Sequence, residues 1–247
     1  MNVNRIGLSL SKFLALSGAA SRRHAVELIR GGAVSIDGSV ERNPAARVTG
    51  REKILCRGRV LSLPEERHYI MLNKPRGYVC TSEDPHARKK ALDLIRLPGD
   101  PRLFSAGRLD KDSEGLILFS DDGDFVHTLT HPRSGIRKIY EVSMEHPLSP
   151  QDIRRMIEGI QSGDDLLRAL RIEPVTPRKY RFILGEGKNR EIRRMADAVG
   201  NEAVRLKRVA IGSLELGALP CGSWRTLSPE DRALALRNPS SGESSPR

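Results

Sequence analysis

The residues best suited to chemistry lie in one acidic segment, GRLDKDSEGLILFSDDGDF, at positions 107–125. In this segment Asp110 stands between basic side chains and shortly before the apolar run 116–119, which is typical of a buried strand. A carboxylate near a buried strand needs a charged partner or a chemical task, because an unpaired buried charge is costly. Asp110 is therefore the leading candidate for a nucleophile.

An arginine on a predicted helix is the candidate partner of that carboxylate. Arg193 lies at the edge of the apolar stripe of this helix, while Arg190 and Arg194 point further outward. Guanidinium groups at the edge of a buried face often pair with acids, so we expect an ion pair between Arg193 and Asp110. The alternative is a surface arginine whose stem covers apolar neighbours. The stripe consists of Ile192, Met195, Ala196 and Val199.

Tyr140 is a third candidate, on an alternating segment. Residues 135–144 predict a strand with Tyr140, Val142 and Met144 on one face. A tyrosine on a strand is more often part of the core than of a site. The chain has only one Trp, four Tyr and five Phe, so an aromatic side chain beside a basic site becomes a candidate for stacking on a nucleobase.

The charge balance indicates a polyanionic partner. Lys and Arg outnumber Asp and Glu by 42 to 31, and residues 1–60 hold eleven of these basic residues against four acidic ones. Nucleic acid fits this excess better than an anionic membrane does. No apolar stretch approaches the roughly 18 residues of a membrane span, and no signal peptide is recognisable. We expect a cytoplasmic, monomeric protein.

The elements that must position these residues predict an α+β protein. Residues 5–62 are expected to form a small helix-helix-hairpin module, and residues 66–237 a larger domain with a mixed, mainly antiparallel sheet and flanking helices. The stretch 238–247 is rich in Ser, Pro and Gly and predicts a disordered tail. In the larger domain, 116–119 is predicted as a central strand because it is apolar on both faces.

Two Ser-Pro pairs mark the starts of helices in the larger domain. Ser149 and Ser228 are expected to cap helices that begin at the prolines after them. The apolar stripe of the first of these helices is expected to include Ile157 and Ile160.

The N-terminal module is predicted from capping and turn signals. A helix from residue 9 and a second one over 21–30 precede a hairpin with the turn Asp37-Gly38. Arginines at the start of the second helix lie where free backbone amides also attract anions. The alternative is an ordinary solvated basic face. The residues expected to bind nucleic acid here are Lys12, Ser21, Arg22 and Arg23.

Cysteine and histidine spacing predicts neither a metal site nor a disulfide framework. Cys56, Cys80 and Cys221 are far apart, and the six histidines form no HExxH motif. The segment GEGKNR lacks the Ser or Thr of a phosphate-binding loop, so ATP use is not indicated. We expect no cofactor.

Two resemblances extend this interpretation. LSKFLALSGAASRRHAVELIRGGAVSIDG resembles a small RNA-binding module first described in a ribosomal small-subunit protein, which implies RNA rather than DNA. The segments GRLDKDSEGLILFSDDGDF, KIYEV and EGKNREIRRMADAVG together resemble the RsuA/RluB/RluF family of bacterial rRNA pseudouridine synthases over about residues 5–235.

The family resemblance implies an activity and roles for particular residues. It implies isomerisation of a flipped-out uridine in ribosomal RNA or a pre-ribosomal particle, with large-subunit rRNA favoured. Asp110 would be the nucleophile, Tyr140 would pack on the base and assist proton removal, and Arg193 would pair with Asp110. The residues expected to hold phosphates beside this site are Lys74, Arg108 and Arg190.

The chain departs from the family pattern at two places. Ser113 stands where threonine is commoner, and Arg190-Glu191 replaces a frequent His-Gln pair. The KDS segment is more similar to the RluF branch and the NRE segment to the RluB branch, so the branch stays open.

Three alternatives remain at this stage. The Asp110-Lys111-Asp112 spacing also satisfies the weak motif of haloacid-dehalogenase-type phosphatases, although the polar residues before it are unlike a buried strand. The second alternative is a glycosidase, which would use Asp110 and Glu114 as its two catalytic carboxylates. A non-enzymatic RNA-binding assembly factor would use residues 5–60 for binding and the larger domain as scaffold.

Overall fold

The computed structural model describes residues 7–64, 66–80 and 89–239, which form two compact units. The first unit contains the described residues up to His68 and the short segments Gly99–Arg102 and Asp121–Gly123. The second unit contains the rest of the chain from Tyr69 onward. In the described ranges, no helix has the length and apolar character needed to cross a bilayer.

Most helices begin at a serine whose hydroxyl caps them. The Oγ atom of Ser149 accepts a hydrogen bond from the backbone N–H of Asp152 at 3.1 Å, and Ser228 makes the same bond with Asp231 at 3.2 Å. The side chain of each aspartate in turn accepts a hydrogen bond from the backbone N–H of its serine. The two predicted helix starts are therefore confirmed. The helices of the described residues are α1 Leu10–Leu16, α2 Arg22–Arg30, α3 Gly123–Thr130, α4 Pro150–Glu158, α5 Glu191–Ala198 and α6 Pro229–Leu236, with 3₁₀ turns at Ala91–Leu94 and Pro132–Ser134.

The first unit is built on the predicted helix-helix-hairpin arrangement. Asp37 and Gly38 both have positive φ, as a two-residue hairpin turn requires. A second hairpin, which we did not predict, closes through Arg57 and Gly58, also at positive φ. The strands are β1 Leu8–Ser9, β2 Val34–Ile36, β3 Ser39–Val40, β4 Arg47–Val48, β5 Ile54–Cys56 and β6 Arg59–Leu61, in a four-stranded sheet of order β3-β2-β5-β6 and a separate β1-β4 pair.

A mixed, mostly antiparallel sheet organises the second unit, as the α+β expectation required. Its main path has the order β13-β14-β10-β15-β9-β7-β17, with β16 beside β15 and β8 beside β9, and a separate hairpin joins β11 and β12. The strands are β7 Tyr69–Lys74, β8 Phe104–Ala106, β9 Glu114–Ser120, β10 Lys138–Met144, β11 Ile160–Ser162, β12 Asp165–Leu167, β13 Arg171–Thr176, β14 Lys179–Leu184, β15 Ala203–Ile211, β16 Leu214–Glu215 and β17 Trp224–Thr226.

Strand β9 is the central strand predicted from its apolar run. All seven of its residues are buried. Ile117 and Phe119 belong to the core on one side of the sheet, whereas Leu116 and Leu118 belong to the core on the other side. Alternation of side chains along a strand explains why both faces had to be apolar.

A glycine permits the close approach of β9 and β15. Gly115 pairs with Arg208 in the parallel register of these strands and has a φ of +104°. A Cβ atom at this position would overlap the backbone carbonyl oxygen of Arg208. The absence of a side chain at position 115 therefore brings the start of β9 against the middle of β15.

Two local expectations are corrected. Gly159, at a φ of +123°, ends α4, so Ile160 begins a strand instead of extending the helix stripe, and Ile157 is 38% exposed. Asn238, assigned to the tail, is held by its side chain, which accepts from the N–H of Arg137 at 2.8 Å and donates to the carbonyl of Gly135 at 2.9 Å. The remainder of the predicted tail, from residue 240, lies outside the described residues.

Candidate active site

Asp110 lies in the loop between β8 and β9, and hydrogen bonds from a neighbouring segment fix that loop. The N–H of Gly77 donates to the carbonyl oxygen of Lys111 at 2.7 Å, and the N–H of Leu109 donates to Cys80 Sγ at 3.3 Å. Asp110 itself is half-buried. The carboxylate is thus held on a constrained loop rather than on a free one.

A cavity of about 460 Å³ opens beside this loop. Asp110, Tyr140 and Arg208 all line it, from the loop, β10 and β15 respectively. The volume lies in the range of pockets that enclose a small organic ligand, such as a nucleobase with part of its sugar. The other lining residues include Arg108 and Ser113 of the loop, Thr130 at the end of α3, Lys138 of β10, the segment Leu184–Ile192, and Leu206 and Ile211 of β15.

Tyr140 and Arg208 face each other across neighbouring strands. They are Cα partners in the antiparallel register of β10 and β15, and both are buried, with 7% and 3% exposure. Arg208 Nη1 lies 3.5 Å from Tyr140 Oη, and its guanidinium carbon lies 6.0 Å from the ring centre. The aromatic wall of the cavity is therefore backed by a buried cation.

Two lysines near the cavity are desolvated. Burial lowers the pKa of Lys74, the charge of Arg208 lowers it further, and the neighbouring Cys80, Asp110 and Asp112 oppose that shift. Burial also lowers the pKa of Lys138, again with Arg208 adding to the effect and with Glu191 opposing it. Cations thus crowd this side of the cavity.

Glu191 is a buried acid on the cavity wall. It is 5% exposed, and burial raises the pKa of its carboxyl group, with the charge of Glu186 acting in the same direction. One carboxylate oxygen accepts a hydrogen bond from the N–H of Lys188 at 3.1 Å. The side chain therefore braces the turn that leads into α5.

Arg193 does not form the ion pair with Asp110 that we expected. Its Nη1 donates to the carbonyl oxygen of Ala203 at 2.6 Å, and its Nη2 lies 3.5 Å from the carbonyl oxygen of Asp112. Within the described part of the chain, no arginine or lysine nitrogen lies within 4 Å of the Asp110 carboxylate. Helix α5 directs this guanidinium to β15 and to the backbone of the loop, so Arg193 contacts the loop rather than the carboxylate.

The three residues expected to hold phosphates near the site differ in exposure. Arg108 and Arg190 are exposed and line the cavity, so their positions allow contact with RNA. Lys74 is fully buried, and its Nζ donates to the carbonyl oxygens of Pro75 and Tyr78 at 2.9 and 2.8 Å. The expected phosphate contact of Lys74 is therefore wrong, because its ammonium group is enclosed by backbone.

The four candidate RNA-binding residues of the first unit lie on α1 and α2. Arg22 and Arg23 are exposed in the first turn of α2. Lys12 and Ser21 are half-buried, and Ser21 Oγ accepts the N–H of His24 at 3.2 Å as the cap of α2. The predicted cap of α2 is confirmed, and the RNA contacts stay predictions.

Arg208 is the main residue of the cavity that sequence reasoning missed. Leu206, Arg208 and Ala210 alternate as buried positions of β15. The period-two pattern of this strand was readable from the sequence, and an arginine within its buried face would have marked Arg208 as a residue with a task.

Comparisons with known proteins agree with this geometry. Residues 68–198 match the family model described as RNA pseudouridylate synthase, and residues 9–54 match the S4 domain. The chain is 36% identical to the ribosomal small subunit pseudouridine synthase A of Escherichia coli strain K12, over 92% of this chain and 99% of that protein. It is 35% identical to the ribosomal large subunit pseudouridine synthase B of Bacillus subtilis strain 168, over 92% and 96%.

A solved structure shares the fold as well as the sequence. A crystal structure of a pseudouridylate synthase superimposes with a TM-score of 0.67 at 31% identity and covers 92% of this chain and 99% of its own. With an S4 domain in front of a pseudouridine synthase fold and an aspartate beside a base-sized cavity, the chain belongs to the RsuA/RluB/RluF family of pseudouridine synthases.

Proposed function

We propose that this enzyme converts a uridine of ribosomal RNA to pseudouridine, with Asp110 as the nucleophile acting on a flipped-out nucleotide. The observation that carries the proposal is the half-buried Asp110 beside the 460 Å³ cavity that Tyr140 also lines. Removing a nucleotide from its stack costs a few kcal/mol, and a pocket with an aromatic wall offsets that cost. The relatives named above act on ribosomal RNA, which supports the substrate class.

The reaction is an isomerisation that balances without a donor or acceptor of electrons. An Asp110 carboxylate oxygen bonds to the anomeric carbon of the ribose as the glycosidic bond breaks, and the bonding electrons leave with the uracil as an anion. The detached base then rotates, and its carbon 5 attacks the anomeric carbon and releases the carboxylate. Carbon 5 loses its proton, and the former glycosidic nitrogen gains one.

Neighbouring side chains have separate tasks in this scheme. Tyr140 packs on the base and assists the loss of the proton from carbon 5. Arg193 steadies the Asp110 loop through the carbonyl oxygen of Asp112. Arg108 and Arg190, exposed at the cavity, bind the flanking phosphates.

RNA binding is shared with the first unit. Lys12, Ser21, Arg22 and Arg23 belong to the segment that matches the S4 domain, and they add affinity for the phosphate backbone. We propose that the enzyme acts as a monomer in the cytoplasm on rRNA or a pre-ribosomal particle.

Tritium release from rRNA tests this function. Unmodified small-subunit and large-subunit rRNA carrying 5-tritiated uridine are incubated with the wild type and with Asp110→Ala. We expect release from one of the two RNAs by the wild type, a loss of at least about 10³-fold in the variant, and RNA affinity within a few-fold. Equal release by both proteins would contradict the role of Asp110, and absence of release by the wild type from either RNA would favour the assembly-factor alternative.

A matched control separates the nucleophile from acidic residues in general. Asp164 is exposed in the turn between β11 and β12, so Asp164→Ala should release tritium at the wild-type rate. The two relatives, at 36% and 35% identity, do not separate the subunits, and the large-subunit preference inferred from the sequence is tested by the same pair of RNAs. Mapping pseudouridines in rRNA from cells without the gene, with and without complementation, then identifies the uridine.

A further inference from the structure

We propose that Arg208 is a further catalytic residue, whose guanidinium group holds the uracil as an anion after the glycosidic bond breaks. This inference deepens the proposed function and rests on it. In this proposal the guanidinium group of Arg208 contacts the departing uracil, not the sugar or a phosphate. Arg208 has no other role in the proposed reaction.

The hydrogen bonds of Arg208 are incomplete at the cavity. Its Nε donates to the carbonyl oxygen of Leu116 at 2.7 Å, and its Nη1 has only the 3.5 Å contact with Tyr140 Oη. Its Nη2 is buried and, among the described residues, has no partner. A buried donor without an acceptor is costly and calls for an explanation, and a ligand that arrives during turnover supplies one.

The charge of Arg208 also lacks compensation. In the described part of the chain, no carboxylate lies within 4 Å of its guanidinium group, although the side chain is only 3% exposed. Lys74 and Lys138 lie near Arg208: burial is the main cause that lowers the pKa of both, and the charge of Arg208 lowers each pKa further. Asp110, Asp112 and the thiol of Cys80 oppose the shift of Lys74, and Glu191 opposes that of Lys138. A buried guanidinium group that lines the cavity without a carboxylate partner favours an anionic ligand there.

The position of Arg208 fits the leaving base. It is the cross-strand partner of Tyr140, the side chain proposed to pack on the uracil ring, and both line the cavity with Asp110. A base that stacks on Tyr140 has its carbonyl edge within range of a neighbouring side chain on β15. Negative charge on a uracil anion spreads to its carbonyl oxygens, which are the acceptors that a guanidinium group binds.

A purely structural role is the competing explanation. Through Leu116, Arg208 joins β15 to β9, and loss of this bond alone would lower stability and activity without regard to the leaving group. The experiment therefore varies the leaving group.

Uridine and 5-fluorouridine are compared at the target position of the rRNA. Fluorine withdraws electrons and stabilises the uracil anion, so it reduces the need for a cation. Single-turnover loss of the N-glycoside is followed by nuclease digestion and chromatography for the wild type, Arg208→Gln and Arg208→Lys. We expect Arg208→Gln to slow uridine cleavage by about 10²-fold or more and 5-fluorouridine cleavage by no more than about 10-fold. Arg208→Lys should lose less on both.

A neighbouring arginine supplies the control. Arg181 is half-buried on β14, and its Nε also lacks a partner among the described residues, but it lies on the face of the sheet away from the cavity. Arg181→Gln should cleave both RNAs within about threefold of the wild type, a change worth less than 1 kcal/mol in the barrier.

The possible outcomes distinguish failure of the Arg208 proposal from failure of the proposed function. Equal losses on the two nucleosides would overturn the proposal, as would an Arg208→Gln rate within threefold of the wild type. If Arg208→Gln does not fold, Arg208→Lys decides by the same ratio, because it keeps the charge but loses the planar fork. Wild-type isomerisation of rRNA tests the proposed function, whereas the ratio between nucleosides tests Arg208.

Discussion

The two units differ in the exposure of the cations that are candidates for a role with RNA. In the first unit, Arg22 and Arg23 project into solvent from the start of α2. In the second unit, Lys74, Arg193 and Arg208 are buried, with exposures of 0, 9 and 3%. The second unit therefore encloses three cations, in addition to exposed ones such as Arg108 and Arg190.

This contrast separates affinity from chemistry. Exposed cations attract any phosphate backbone, and salt screens them. Buried cations are screened little and keep a fixed position, so their charge acts on groups close to them. The first unit is therefore expected to determine how tightly RNA binds, and the second what happens to it.

The strongest test removes the geometry that holds the enclosed cations. Gly115→Ala places a methyl group against the backbone of Arg208 at a φ that favours glycine. We expect a loss of more than about 3 kcal/mol in the free energy of unfolding, with activity lost alongside. Urea denaturation checks it, and Gly217→Ala, at positive φ but with open space around it, should cost only about 1 kcal/mol. Similar values for both variants would contradict the importance of the β9–β15 contact.

Substitution of Arg193 tests whether a buried cation can support catalysis solely through its contacts with backbone carbonyl oxygens. Arg193→Met removes the guanidinium group from the carbonyl oxygens of Ala203 and Asp112, so the Asp110 loop loses one of its supports. We expect a decrease of about 10²-fold in kcat with little change in KM, and a loss of about 2 kcal/mol in stability. Steady-state kinetics and urea denaturation measure these. A variant with unchanged kcat would show that the loop does not need this arginine.

Substitution of the exposed arginines should have the opposite kinetic signature. Arg22→Gln with Arg23→Gln is expected to weaken RNA binding by about 10-fold and to reduce the slope of log affinity against log salt by about one to two, while kcat stays unchanged. Filter binding at several salt concentrations measures this. Arg30→Gln, at the other end of α2 and also exposed, is the matched control. Equal effects of both sets would mean that the whole face, not the helix start, binds RNA.

The smallest expected effect concerns the ion pair between Asp231 and Arg225. Hydrogen bonds from Arg225 hold the pKa of Asp231 down, from 3.8 to about 2. Because the folded pKa lies below the unfolded one, the pair stabilises the fold above about pH 4, and this contribution disappears as the pH falls toward 2. Asp231→Asn should lower the free energy of unfolding by about 1 kcal/mol at pH 6 and by nearly nothing near pH 2, as measured by denaturation. This value allows for solvent screening of the partly exposed Arg225. A constant cost across pH would indicate lost capping instead.

Local signals predicted the elements, and they marked Asp110 and Tyr140, which line the same cavity, as candidates. The contacts of Arg193 are non-local and were not predicted. The caps at Ser149 and Ser228 depend on residues three positions away, so the sequence shows them directly. The burial of β9 followed from its composition. The partners of Arg193, by contrast, come from a loop 81 residues earlier and from β15. No pattern in the sequence specifies such a contact, because it depends on the register in which β15 meets β9.

That register has a consequence for synthesis of the protein. The parallel pairing of Glu114 with Lys207 joins positions roughly 90 residues apart, and pairing over such distances forms late in folding. While the chain leaves the ribosome, Asp110 emerges long before the strand that completes its pocket. A nascent chain that ends before β15 carries Asp110 but lacks one wall of the cavity beside it, so the newly made protein can become active only after β15 has been synthesised.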